Sequence, residues 1–193
     1  MTDVSTIDQS LGPLKFAGEV KTHSFALAAP QFDRLANRAL LRDTPAGATP
    51  EVKAPKFKRA DIVVDGVDHS GPSFEVRVFG NNPGATATTE PTAENGYLGS
   101  FHVFGHGFCF GDAGHCEVNN RGAAKTDLRD PHPLAPEQKI VVATDGIKSL
   151  IARDGALAQV SLVPIAIGSA PTDADPKARD VLKYNNIRVI TYD

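Results

Sequence analysis

The chain has 193 residues, 41% hydrophobic and 22% charged, with a formal net charge of −3. That length suits one domain, or a domain with a long extension, and can bury a real core. The charge gives no reason to expect nucleic acid or an anionic membrane as partner, and no apolar run approaches the length that spans a bilayer.

The opening segment, MTDVSTIDQS, is acidic and lacks the basic and apolar regions of a signal peptide. The chain therefore reads as cytoplasmic, with export alongside a partner, or a leader removed in maturation, left open. Residues 1 to about 20 read as loosely structured, 22–28 as a strand and 32–41 as a short helix. Residues 44–58 carry three prolines and no periodicity, which marks a linker or a strapped-down loop. Residues 1–58 are thus expected to form an N-terminal extension or linker with a strand and a short helix.

From residue 59 the pattern sharpens. Residues 60–67 and 73–80 read as strands; in the second, Phe74, Val76 and Val78 share one face while Glu75 and Arg77 take the other. Residues 81–95 form a polar, turn-rich loop, and 98–104 a further strand. After a polar, proline-bearing stretch (119–136), residues 139–143 form a strand. Thr144 or Asp145 is expected to cap a short helix with Ile147, Leu150 and Ile151 on one face and its end at Gly155. Residues 157–167 read as a strand that Pro164 assigns to an edge or a bulge, and 187–192 as the last strand. With 17 glycines, 14 prolines and no tryptophan, the expected fold is all-β: an antiparallel β-sandwich or jelly roll over 59–193, with one short helix.

The chemistry concentrates between residues 97 and 116, YLGSFHVFGHGFCFGDAGHC. Here a strand runs into a glycine-rich loop carrying His102, His106, Cys109, His115 and Cys116, spaced H-x3-H-x2-C-x5-H-C. Imidazole and thiolate suit Cu(I) or zinc, and were the strand to continue, His102 and His106 would point to one side. The spacing matches no common zinc module, so three readings stand: a metal site, a disulfide between Cys109 and Cys116, or solvated histidines beside thiols with no special role. Phe108 and Phe110 flank Cys109 among glycines, where an aromatic can enter an apolar pocket on a partner or fold inward as core. Phe101 and Val103 are expected to face the core. Asp145 and Asp154 bracket the helix as cap and terminus rather than as an acid–base pair. No Gly-x-Ser-x-Gly elbow and no phosphate-binding glycine motif is present.

The order of segments carries a resemblance. FEVRVFGNNP is followed by a long loop, YLGSFHVFGH, KIVVATDGIKSLIARDG, AQVSLVPI and NNIRVITYD. This resembles the C-terminal β-domain of the tyrosinase, polyphenol oxidase and hemocyanin group of type-3 copper proteins, over residues 59–193. The resemblance implies a non-catalytic domain that packs over the dicopper entrance of a helical catalytic domain, inserts a bulky side chain there and keeps the enzyme latent. It also implies cysteines tied to copper loading, so no resident cofactor but transient copper is expected. Phe108 and Phe110 become candidates for the plug, and a tyrosinase-like catalytic domain or subunit the expected partner. The family's six copper-binding histidines sit on a helix bundle. This chain has six histidines in all, and His23, His69 and His132 lie in no helical His-x-x-x-His pattern, so phenol oxidation by this chain alone is not expected. The competing readings are a free-standing copper-binding or copper-delivery protein and a metal-free β-sandwich interaction module.

Overall fold

The computed structural model describes residues 21–27, 35–36, 55, 57–106, 134–167 and 180–193. Among them are β1 (His23–Ala26), β2 (Arg59–Val67), β3 (Phe74–Gly80), β4 (Tyr97–Val103), β5 (Glu137–Val142), α1 (Thr144–Asp154), β6 (Gln159–Ala166) and β7 (Asn186–Tyr192). The strands form two sheets, one ordered β1-β6-β3-β4 and the other β5-β2-β7, with every pair antiparallel. The described residues form the expected all-β sandwich, with one short helix among them.

Alternation builds the four-stranded sheet. Phe74, Val76 and Val78 of β3 are buried, as are Phe101 and Val103 of β4 and Val160 and Leu162 of β6. These side chains meet Ala60, Ile62 and Val64 of β2 across the core. Because β2 is the central strand of its sheet, its outward residues are covered too: Asp61 and Val63 are only 2% and 3% exposed. Such a carboxylate needs a partner. Arg59 supplies it, donating from Nε to Asp61 Oδ1 at 2.8 Å while its guanidinium lies over the Tyr192 ring.

One residue too many in β2 sets the register at the sheet's end. Val64 faces Lys139 but Val67 faces Glu137, three steps along β2 against two along β5. Gly66, with φ of 72°, absorbs the bulge in a conformation that side-chain-bearing residues rarely adopt. The shift keeps Val67 fully buried, opposite Glu137.

The helix shows the predicted buried face, Ile147, Leu150 and Ile151, and ends at Gly155, whose N–H donates to the Ile151 carbonyl. Its start differs from expectation. The N-cap is Ala143 and makes no side-chain cap. The Thr144 hydroxyl instead accepts from the Ala60 N–H at 3.0 Å, tying the helix to β2. Pro164 also sits differently: β6 is an inner strand, paired on both flanks. However, β1 pairs only with residues 159–162, so Pro164 lies past its end, where one flank needs no donor.

The expected helix over 32–41 is described at two positions only. There Leu35 is buried and accepts from the Leu157 N–H at 3.0 Å, and Ala36 bridges Ala156. The other residues of 32–41 lie outside the described residues. Of the expected linker, Phe57 is buried and the Lys58 N–H donates to the Tyr192 carbonyl at 2.7 Å.

The helix face should carry far more stability than the outer surface of the sheets. Ile147→Ala, at a fully buried position, is expected to cost about 2–5 kcal/mol. Ile140→Ala, on the half-exposed edge strand β5, should stay within about 0.5 kcal/mol. Urea midpoints of the two variants check the contrast.

Candidate functional site

The β2–β3 turn, the exit from β4 and the start of β5 gather at one end of the sandwich. β4 stops at Val103, so the strand does not continue to His106. His102 is exposed on the outer face of its sheet, directly across from Glu75. Phe104 follows, 79% exposed. Gly105 then lies against the backbone of Gly71 and Pro72 so closely that any Cβ would collide, and its N–H donates to Ser73 Oγ at 3.0 Å. The next N–H, of His106, donates to the His69 carbonyl at 2.9 Å. The chain leaving β4 is thereby fastened to the turn after β2.

His69 is the buried member of this cluster, at 7% exposure. Its Nε2 is 2.9 Å from the Ala135 carbonyl. A carbonyl only accepts, so Nε2 carries the proton and Nδ1 of the neutral ring presents a lone pair. That Nδ1 is buried without a hydrogen-bond partner among the described residues, and Glu137 Oε1 stands 3.7 Å away. An unpaired buried polar atom of this kind costs about 1–3 kcal/mol. The exposed His106 ring meets His69 edge to face, with centroids 4.9 Å apart, and its Nδ1 is 3.4 Å from the His69 carbonyl. Lys139 pairs with Glu137 Oε2 and holds that carboxyl below the usual carboxylate range.

Of the residues singled out in sequence, the structure separates His102, on the outer sheet face, from His106, in the rim cluster. Cys109, His115 and Cys116, with Phe108 and Phe110, lie outside the described residues. Among the described residues, no group of three or more His, Cys, Asp or Glu side chains is already arranged to hold a metal ion. Sequence reasoning passed over His69 and Glu137. The signal was available in the antiparallel order: a hairpin of β3 and β4 must return the chain beside the residues that precede β3.

A second concavity, about 440 Å³, opens at the opposite end between α1 and the loop before β4, lined by Glu94, Tyr97, Asp145, Ser149 and Arg153 among others. Its one cationic side chain among the described residues, Arg153, is committed to structure. Arg153 Nη1 donates to the carbonyls of Ala93 and Glu94 at 3.0 and 3.1 Å, and its Nε to Asp154 Oδ1 at 2.7 Å. Asn81 Nδ2 donates to Asp154 Oδ2 at 3.0 Å. Arg153 first, and then Asn81, hold the Asp154 carboxyl below its ordinary range.

No protein-family profile matches the chain, and no curated protein sequence matches it. Among solved structures, one similar chain is a recombinantly expressed latent aurone synthase, a polyphenol oxidase, at 15% identity with a TM-score of 0.43. The likeness is distant. It covers 99% of this chain but 27% of that one, so the chain spans about a quarter of the enzyme's length.

Asp154 gives the second concavity an acid-sensitive fastening. Its lowered carboxyl stabilises the fold above its ordinary value of 3.8, and that contribution is lost as pH falls through the lower folded value. Asp154→Asn should therefore melt below the wild type at pH 6, and the gap should close as pH falls below about 4. Melting temperatures at pH 6 and 3 check this.

Proposed function

We propose that the chain is a non-catalytic β-domain or subunit of a tyrosinase-like copper protein. In this reading it covers the dicopper entrance of a catalytic partner and assists its copper loading. One observation carries the reading. The segments whose order bears the sequence resemblance fold as consecutive parts of one sandwich: FEVRVFG as β3, YLGSFHV as β4, KIVV within β5, TDGIKSLIARD as α1, QVSLVPIA as β6 and NIRVITY as β7.

The exit from β4 suits the role. It leaves Phe104 in solvent at the sandwich rim and leads directly into the glycine-rich segment of Phe108 and Phe110. An aromatic at a loop tip fills an apolar mouth with little entropy to lose. Copper would be held in passing by thiolates of Cys109 and Cys116 with imidazole from His106 or His115, a donor set suited to Cu(I). His106 fits that set: its ring is exposed, and with Nδ1 turned toward the His69 carbonyl its Nε2 stays available as a donor.

A metal-free interaction module is the second reading. It is favoured by the outer face of the three-stranded sheet, where Ile140, Val142 and Tyr192 are 50%, 60% and 45% exposed. Their register with β2 places them on one side of the sheet.

The two separate in one assay. The purified chain, supplied with copper, should not oxidise a catechol. Added in excess to a tyrosinase catalytic domain stripped of its own C-terminal domain, it should lower the catechol oxidation rate severalfold. Phe108→Ala with Phe110→Ala should restore most of that rate. An unchanged rate, with unchanged copper uptake on co-expression, would count against the shielding and loading role.

A further inference from the structure

We infer that β5 is a docking edge for a second copy of this chain, the two β5 strands pairing antiparallel about Ile140. The inference holds whether or not the chain shields a copper enzyme. It starts from the direction in which the backbone of β5 points. The Ala143 N–H donates to the Ala60 carbonyl at 2.9 Å, so residue 143 turns its backbone groups toward β2. Those directions alternate along a strand, and the register carries the parity through Val141, opposite Ile62, and Lys139, opposite Val64. Gln138, Ile140 and Val142 therefore direct their N–H and C=O groups away from β2. β5 ends its sheet, and among the described residues no strand pairs with that side.

Such an edge is a template for another strand, and proteins blunt theirs with outward charges or prolines. β5 lacks these devices. Its edge-facing residues are exposed and uncharged, Ile140 and Val142 at 50% and 60% exposure. The strand's charges, Glu137 and Lys139, lie in the other parity and pair with each other. The edge is thus neutral in a chain of net charge −3, and a second copy meets no like charge there. Centred on Ile140, antiparallel pairing sets Ile140 opposite itself and Gln138 opposite Val142 of the second copy. That register uses every outward donor and acceptor of the strand and closes on a two-fold axis. The apolar side chains of both copies then meet as direct and diagonal neighbours on one outer face. A single strand buries less than the about 800 Å² per partner of a standard interface, so the dimer is weak and depends on concentration.

Sedimentation equilibrium of the full chain under reducing conditions, from low micromolar to near-millimolar concentration, tests the edge. The wild type should shift from monomer toward dimer across that range. Ile140→Lys, which sets like charges face to face on the two-fold axis, should stay monomeric throughout. Gln138→Pro removes an N–H that β2 does not use and should raise the dissociation constant at least about tenfold. Tyr192→Ala, on the same face but across the sheet on β7, should leave the equilibrium unchanged. With Cys109→Ser and Cys116→Ser in place, Ile140→Cys should cross-link to a dimer on oxidation, because facing residues of such a pair lie about 5.5 Å apart at Cα. His102→Cys, exposed on the other sheet, should not. A wild type that stays monomeric, or a dimer that Ile140→Lys leaves intact, overturns the inference. So does a dimer lost in Tyr192→Ala but kept in Gln138→Pro, since the contact would then lie on the sheet face. Should Ile140→Lys fail to fold, as melting curves would show, an unchanged equilibrium in Gln138→Pro without the Ile140→Cys cross-link also overturns it.

Discussion

Between Val64 and Val67 the central strand β2 takes three steps while β5 takes two, and the arrangement at the sandwich rim depends on that bulge. A strand's side chains alternate with period two, so a one-residue slip exchanges its faces. The extra residue, absorbed at Gly66, lets Val67 stay in the core and sets Glu137 opposite it. It also brings His69, two residues beyond Val67, to the rim that β4 reaches from the other sheet.

The second fastening is the packing of the chain leaving β4. Gly105 against the 71–72 backbone, its N–H on Ser73 Oγ, and the His106 N–H on the His69 carbonyl are three consecutive constraints. Together they fix the direction in which the glycine-rich segment departs. A loop that begins from a fixed stem loses less entropy on meeting a partner than one that begins from a frayed strand.

Much of the fold was legible because its strands obey a simple rule. The FEVRVFG alternation gave β3 and its faces directly, and the spacing of Ile147, Leu150 and Ile151 gave the helix. Two local signals misled because tertiary partners outbid them. Thr144 looked like a cap, but its hydroxyl serves the Ala60 N–H. Pro164 looked like an edge marker, yet it lies in an inner strand whose neighbour is too short to reach it. The rim cluster was only half legible. His106 stood in a conspicuous run of chemistry, whereas His69 and Glu137 are isolated in sequence and acquire meaning only through the hairpin and the bulge. The burial of His69 and its 3.7 Å approach to Glu137 depend on distances that no linear pattern encodes.

The Arg59–Asp61 pair bears on how the sandwich assembles. β2 finds β7 across a long stretch of chain, with Arg59 opposite Tyr192, and closing so large a loop is slow. Until β7 arrives, the run from Ala60 to Val64 is an apolar strand with an open flank, the kind of segment that pairs with other molecules. Asp61 places a charge in the middle of that run. While the flank is open the carboxylate keeps its water, and a second chain adding there would have to strip it without the Tyr192 ring that lies under Arg59 in the native sheet. The same residue that the finished fold must neutralise thus guards the unfinished one against misassociation.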